Sequence, residues 1–208
     1  MATEKVTRFC PEGGEHMIRK NAASKIFDTA RNLFYTRGVR AVGVDEIVCE
    51  AGVTKPSLYR AYKSKDDLVA ACLQQSATDA RSEVSAVIEA SDSCPRKQLS
   101  ALFRHYANKI RHPDFHGCPM SNFSVEMREP GHPGHIIVEE CKAELRATVG
   151  NLTRKLGVSN PDALADGLVL VIEGAIASYH VFGSQGPAVS LIDTCETLVA
   201  SHIQQIGH

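Results

Sequence analysis

Between residues 105 and 135 the chain concentrates groups able to act as nucleophile, base or metal ligand. His112 and His116 bracket Pro113-Asp114-Phe115, Gly117 and Cys118 follow, and His132 and His135 stand further on. Imidazoles and a thiol close together are what a transition metal needs. Their spacings match no closed four-ligand pattern, however, and Pro and Gly make the segment loop-rich, so no metal and no other cofactor is assigned. Cys118 has a chemistry of its own. It follows Gly117 and precedes Pro119, at a helix start and beside His116, the setting in which thiols become reactive. A thiol that senses electrophiles or oxidants is one reading, and an inert buried thiol is the other. A Cys/His-dependent enzyme, with Cys118 as nucleophile and His105 or His116 as base, lacks an orienting third group. The chain also has no nucleophile elbow, phosphate-binding Gly loop or His-Glu-x-x-His. No residue is assigned a catalytic role.

A different chemistry lies on one short helix. Thr54 is a natural N-cap, Pro56 falls in the first turn where its missing N–H does no harm, and the helix runs to about Tyr62. Ser64, with Asp67 three residues on, starts the next helix. At 100° per residue Thr54, Leu58, Ala61 and Tyr62 face one way, while Pro56, Tyr59, Arg60 and Lys63 face the other, a face without an acid. A helix of about nine residues does not persist alone in water, so its apolar side must be held by the elements before it. The first of these carries Ile26, Phe27, Ala30, Leu33 and Phe34 on one stripe and ends at Gly38. The second carries Val44, Ile47, Val48 and Ala51, opens on Asp45 and Glu46, and ends at Gly52. Two helices joined by a tight Gly turn, the second presenting hydroxyl and cationic groups, is how a helix-turn-helix enters the major groove.

Charge agrees with that placement. The 208 residues sum to a net −1, but residues 18–66 hold ten Lys and Arg against five Asp and Glu, and residues 67–208 hold eleven against sixteen. A small positive segment on a larger acidic one predicts a polyanion as partner of the first only. The hydrophobic content is 43%, with 6% aromatic residues and no Trp, and no alternating Val/Thr/Tyr runs appear, so the expected fold is all-α. Seven scattered cysteines without a C-x-x-C pair indicate neither disulfides nor a zinc ribbon and suit a reducing cytoplasm. The apolar stretch 167–182 is interrupted by Glu173 and reads as too short to span a bilayer, so no membrane partner is expected. Residues 1–17, with Pro11, Gly13 and Gly14 and mixed charge, read as a mobile tail.

Ala51-Gly52-Val53-Thr54-Lys55, then Leu58-Tyr59-Arg60, Tyr62, Ser64-Lys65 and Leu68, resembles the N-terminal module of TetR-type transcriptional regulators. Upstream the likeness takes in Ala30, Leu33-Phe34, Gly38 and Val44-Asp45-Glu46-Ile47, covering roughly residues 22–70. The resemblance implies a three-helix DNA-binding domain over 18–66 and a ligand-binding and dimerisation domain over 67–208. It puts Thr54, Lys55, Ser57, Tyr59 and Arg60 on the recognition helix and Lys65 at the start of the fourth helix. Lys55, Pro56 and Arg60 are then expected at base edges, and Thr54, Tyr59 and Lys65 on the DNA backbone. Val42-Gly43 stands where many members have a Thr or Ser before the second helix, so an N-cap phosphate contact is not expected there.

After Leu68 the punctuation predicts helices over 66–92, 96–111, 119–129, 136–156, 162–183 and 188–205. The segment 163–182 is apolar nearly all round and must be covered twice. Gly167, Gly174 and Ala177 would admit a close neighbour, and Leu191, Cys195, Leu198 and His202 form a stripe on the last helix. Two copies of this pair predict a two-fold homodimer, whose symmetry asks for a palindromic operator. The resemblance further implies a repressor released from DNA by a small, mostly apolar effector. Candidate effector contacts are Phe103, Tyr106, Phe115, Met120, Phe123 and Met127, with His105, Cys118, Asn122, Tyr179 and His180 as polar anchors.

Overall fold

The computed structural model describes residues 21–204 and, within that span, not the side chains of Ser184 and Gln204. The tail expected over 1–17 and the first residues of the domain expected over 18–66 lie outside the described residues. Within them the chain is all helical: α1 Ala22–Arg37, α2 Val44–Glu50, α3 Lys55–Ala61, α4 Lys65–Glu89, α5 Pro95–Arg111, α6 Pro119–Glu126, α7 Gly134–Lys155, α8 Pro161–Phe182 and α9 Leu191–Gln204. Two 3-10 turns, Gly183–Gln185 and Pro187–Ser190, follow α8, and the second takes the start of the segment 188–205 expected as the last helix.

The helix ends follow their capping chemistry. Asn21 accepts from the Ser24 N–H at 2.8 Å to start α1, and Gly38 stops it with φ +88°, a conformation that costs glycine little. Ser64 accepts from the Asp67 N–H at 3.0 Å to start α4. Gly43 gives α2 no side-chain cap, as its sequence requires. α3 is shorter than expected because Tyr62 already has extended backbone.

Two apolar clusters organise the chain. One joins Ile26, Ala30, Leu33, Ile47, Leu58 and Leu68 of the first four helices to Met120, Phe123 and Val138 of α6 and α7. The other joins α5, α7, α8 and α9 through Leu102, Phe103, Val149, Leu168, Ile172 and Cys195. The 25-residue α4 reaches both, with Leu68 and Leu73 in the first cluster and Val84 and Ile88 against the second.

α8 corrects two expectations. It has 22 residues, and its most apolar 18-residue window has mean hydropathy 1.4, so it is long and apolar enough, by length and composition, to cross a membrane. Glu173 lies inside the helix without interrupting it and pairs with Lys142 of α7. The stripe Leu191, Cys195 and Leu198 of α9 is not a free face. Leu191 and Cys195 are buried in the chain's own core, and Leu198 lies 3.0 Å from where a Cβ on Gly167 would stand. The unpartnered face belongs to α8 instead, where Leu170, Gly174, Ala177 and Val181 recur at helical spacing and are all exposed.

Candidate DNA-binding and effector sites

The turn between α2 and α3 passes through Gly52 at φ +62°, and α3 then packs on α1 and α2. Leu58, 0% exposed, is the only buried residue of α3, and Tyr62 just beyond it is half-buried. Thr54 and Ala61, expected on the inner face, are exposed. Thr54 works as the cap, accepting from the Ser57 N–H at 3.4 Å and lying 3.0 Å from the Ser57 hydroxyl. On the outer face Pro56, Tyr59, Arg60 and Lys63 are exposed, Tyr59 at 51%. Among the described residues Tyr59, Arg60 and Lys63 make no side-chain hydrogen bond or ion pair.

Two cations expected to meet DNA are engaged within the chain. Lys55 Nζ sits 2.6 Å from Asp45 Oδ1 at the start of α2, and this contact raises its pKa. Lys65 Nζ donates to the Val39 carbonyl at 2.6 Å and lies 5.9 Å from the centre of the Phe34 ring, where burial lowers its pKa. An ammonium has three donors, so that bond still leaves Lys65 two.

Below this head lies a cavity of about 760 Å³ walled by α1 and by α4 through α8. It gathers seven of the expected effector residues: His105, Tyr106, Phe115, Cys118, Met120, Asn122 and Phe123. Tyr179 and His180 line a separate groove of about 700 Å³ under the C-terminal end of α1, which Phe115 and Asn122 share. Phe103 lines neither and is fully buried in the second cluster, and Met127 packs on the first.

The cavity's polar wall was missed in the sequence. Lys142 of α7 donates to Glu173 Oε1 at 2.6 Å and to Cys118 Sγ at 3.4 Å, while Ser121 donates to Glu173 Oε2 at 3.1 Å. Burial opposes the Lys142 charge, but Cys118 and Glu173 outweigh it and raise the pKa. Glu173, the one acid in the apolar stretch 167–182, was the available signal, because a buried carboxylate needs a cation. The charged neighbour of Cys118 is thus Lys142 and not His116, whose Nδ1 is 3.0 Å from the Asp114 carbonyl and whose ring lies 5.4 Å from that of Tyr35.

Between cavity and head, Tyr35 of α1 donates to the Gly117 carbonyl at 3.2 Å and accepts from the His116 N–H at 2.9 Å. Glu126 at the end of α6 accepts from the Arg40 N–H at 3.0 Å, and the Arg40 guanidinium pairs with Glu129. The end of α1 is therefore tied to both ends of α6.

His112, His116, His132 and His135 form no common site; among the described residues no three His, Cys, Asp or Glu side chains are placed to share a metal ion. His132 is buried beside Phe123, and its Nδ1 accepts from the Gly134 N–H at 2.9 Å. This puts the ring proton on Nε2, 3.5 Å from Asp66. Burial holds its pKa below the ordinary value, so the unfolded chain takes up the proton first as pH falls. Stability from neutral His132 is complete above about pH 6.5 and is lost below it, towards the folded-state pKa. Urea midpoints should fall from about pH 7 to pH 5, and less steeply in His132→Gln.

A three-helix head presenting an acid-free helix, tied through α1 and α6 to a hollow helical body, defines a helix-turn-helix DNA-binding regulator. Residues 26–72 match the profile of bacterial regulatory proteins of the tetR family. The chain is 30% identical to SCO4454, a TetR-family transcriptional regulator from Streptomyces coelicolor, whose structure matches 90% of this chain and 96% of its own at a TM-score of 0.79. It is 26% identical to the HTH-type transcriptional repressor DhaR of Mycobacterium sp. (strain GP1), over 82% of this chain and 88% of that protein. It is also 31% identical to the HTH-type transcriptional activator FasR of Mycolicibacterium smegmatis, over 48% of this chain and 45% of that protein. The chain belongs to the TetR family: it is a DNA-binding transcriptional regulator and not an enzyme.

Proposed function

We propose that the chain is a cytoplasmic repressor that binds a palindromic operator as a homodimer and leaves it when a small, mostly apolar effector fills the cavity behind α1. Residues 18–66 act as the DNA head and 67–208 as sensor and dimerisation body. The observation that carries this reading is the outer face of α3, where Arg60 and Tyr59 stand exposed and unpaired while Leu58 fastens the opposite side.

In this reading Arg60, Pro56 and Lys55 meet base edges, Lys55 exchanging Asp45 for DNA. Thr54, Ser57 and Tyr59 face the DNA backbone, and Lys65 keeps its bond to Val39 while offering another N–H to a phosphate. The α8 stripe supports the dimer, since an apolar face at helical spacing is a surface for a second copy. Similarity to a repressor over most of both chains supports repression.

Selection from a random DNA pool should return inverted repeats with half-sites about one helical turn apart or somewhat more. Arg60→Ala should then cost roughly 1 to 3 kcal/mol per half-site and relax base preference at one position. Binding should weaken steeply with salt. A titration in which Arg60→Ala keeps both affinity and preference would take Arg60 off the base edges.

A further inference from the structure

The cavity holds a chemistry that an inert apolar ligand would not use. Three thiols line it, Cys72, Cys118 and Cys141. Burial pushes Cys72 up to about 12 and also raises Cys141, which keeps both protonated and unreactive. Cys118 is placed differently. It occupies the N-cap of α6 without capping it through its side chain, and among the described residues it is the one thiol with an ammonium against its sulfur, Lys142 Nζ at 3.4 Å. Glu173, itself held by Ser121, fixes that ammonium in position. A nucleophile, a fixed cation and an apolar chamber of about 760 Å³ thus share one wall.

We propose that the effector is a small α,β-unsaturated carbonyl compound and that Cys118 captures it covalently, an inference that rests on the cavity being the effector site. The Cys118 sulfur forms a bond to the β-carbon as the carbon–carbon π bond opens, and the electron pair moves through the α-carbon onto the carbonyl oxygen. Lys142 donates a hydrogen bond to that enolate oxygen, a preorganised charge placed where negative charge develops. The proton given up by the thiol ends on the α-carbon. Thiol plus alkene becomes thioether, with no leaving group and no external oxidant or reductant. Lys142 does not compete as a nucleophile, because its raised pKa keeps it protonated. The capture position also touches the head: the residue before Cys118 is Gly117, whose carbonyl accepts from Tyr35 of α1. An adduct at Cys118 strains that bond.

Treating the purified protein with cyclohex-2-enone and mapping adducts by peptide mass spectrometry tests this. Cys118 should be labelled ahead of the exposed Cys49 and Cys94, Lys142→Met should slow its labelling by about a hundredfold, and Cys118→Ser should keep DNA binding but lose release by the enone. If Lys142→Met does not fold, the order of labelling in the unmodified protein decides alone. Labelling of Cys49 or Cys94 before Cys118 overturns the capture site and leaves the effector reading of the cavity standing. Labelled Cys118 with DNA still bound has the opposite meaning: the chemistry holds, and the effector reading beneath it is lost.

Discussion

Replacing Leu58 by alanine is expected to destabilise the DNA head by about 2 to 5 kcal/mol and to abolish operator binding with every DNA-facing side chain still in place. Leu58 is 0% exposed and is the only residue that α3 buries. A helix of 7 residues has no stability of its own. Its position is set by that one leucine, by the half-buried Tyr62 after it, and by the caps at Thr54 and Ser64. Truncation leaves a cavity between α3 and the stripe of Ile26, Ala30 and Ile47. Urea unfolding followed by circular dichroism should show the loss, and DNA titration should fall to the non-specific level. A variant that keeps full operator affinity would mean that α3 is held by something other than Leu58.

That anchor was legible from spacing alone, and so were the helix ends at Gly38, Thr54 and Ser64. Thr54, Ser64 and Gly38 act on residues within a few positions of themselves, so sequence determines their chemistry. What was illegible depends on partners far along the chain. Lys142 and Glu173 are 31 residues apart, and nothing near Lys142 marks it among the other charges of α7. Lys55 and Lys65 read as free cations because no local pattern shows a partner at Asp45 or at the Val39 carbonyl. The stripe on α9 shows the same limit in apolar form. Periodicity proves that Leu191, Cys195 and Leu198 cover something, and only the packing of α8 and α9 shows that they cover the chain's own core. Seven of the eleven effector candidates meet in one cavity because they lie on α5, on α6 or in the loop between them, which fold together over α4 and α7. Tyr179 and His180 come from the end of α8 and reach the neighbouring groove instead.

Leu170→Asp is the second large effect expected, and it acts on assembly and not on the fold. Leu170 is 72% exposed and Val181 75%, with Gly174 and Ala177 between them on one face of α8 and open space beside Gly174. Small residues flanked by large apolar ones let two such helices approach closely and cross, and a two-fold axis gives each the same surface to meet. A carboxylate at position 170 leaves the separate chain intact, because that side chain already faces water. In the proposed dimer it places two like charges against an apolar surface, at a cost of several kcal/mol. A cost of about 4 kcal/mol is about a thousandfold in the dimer dissociation constant, enough to give a monomer at micromolar concentration by light scattering. Operator affinity should fall further than any single phosphate contact explains, since two linked heads bind with an effective concentration that separate heads lack. Leu170→Ala, which removes contact without adding charge, should weaken the dimer far less. If Leu170→Asp remains a dimer of full affinity, the two copies meet through another face, and the exposed stripe of α8 has a different partner.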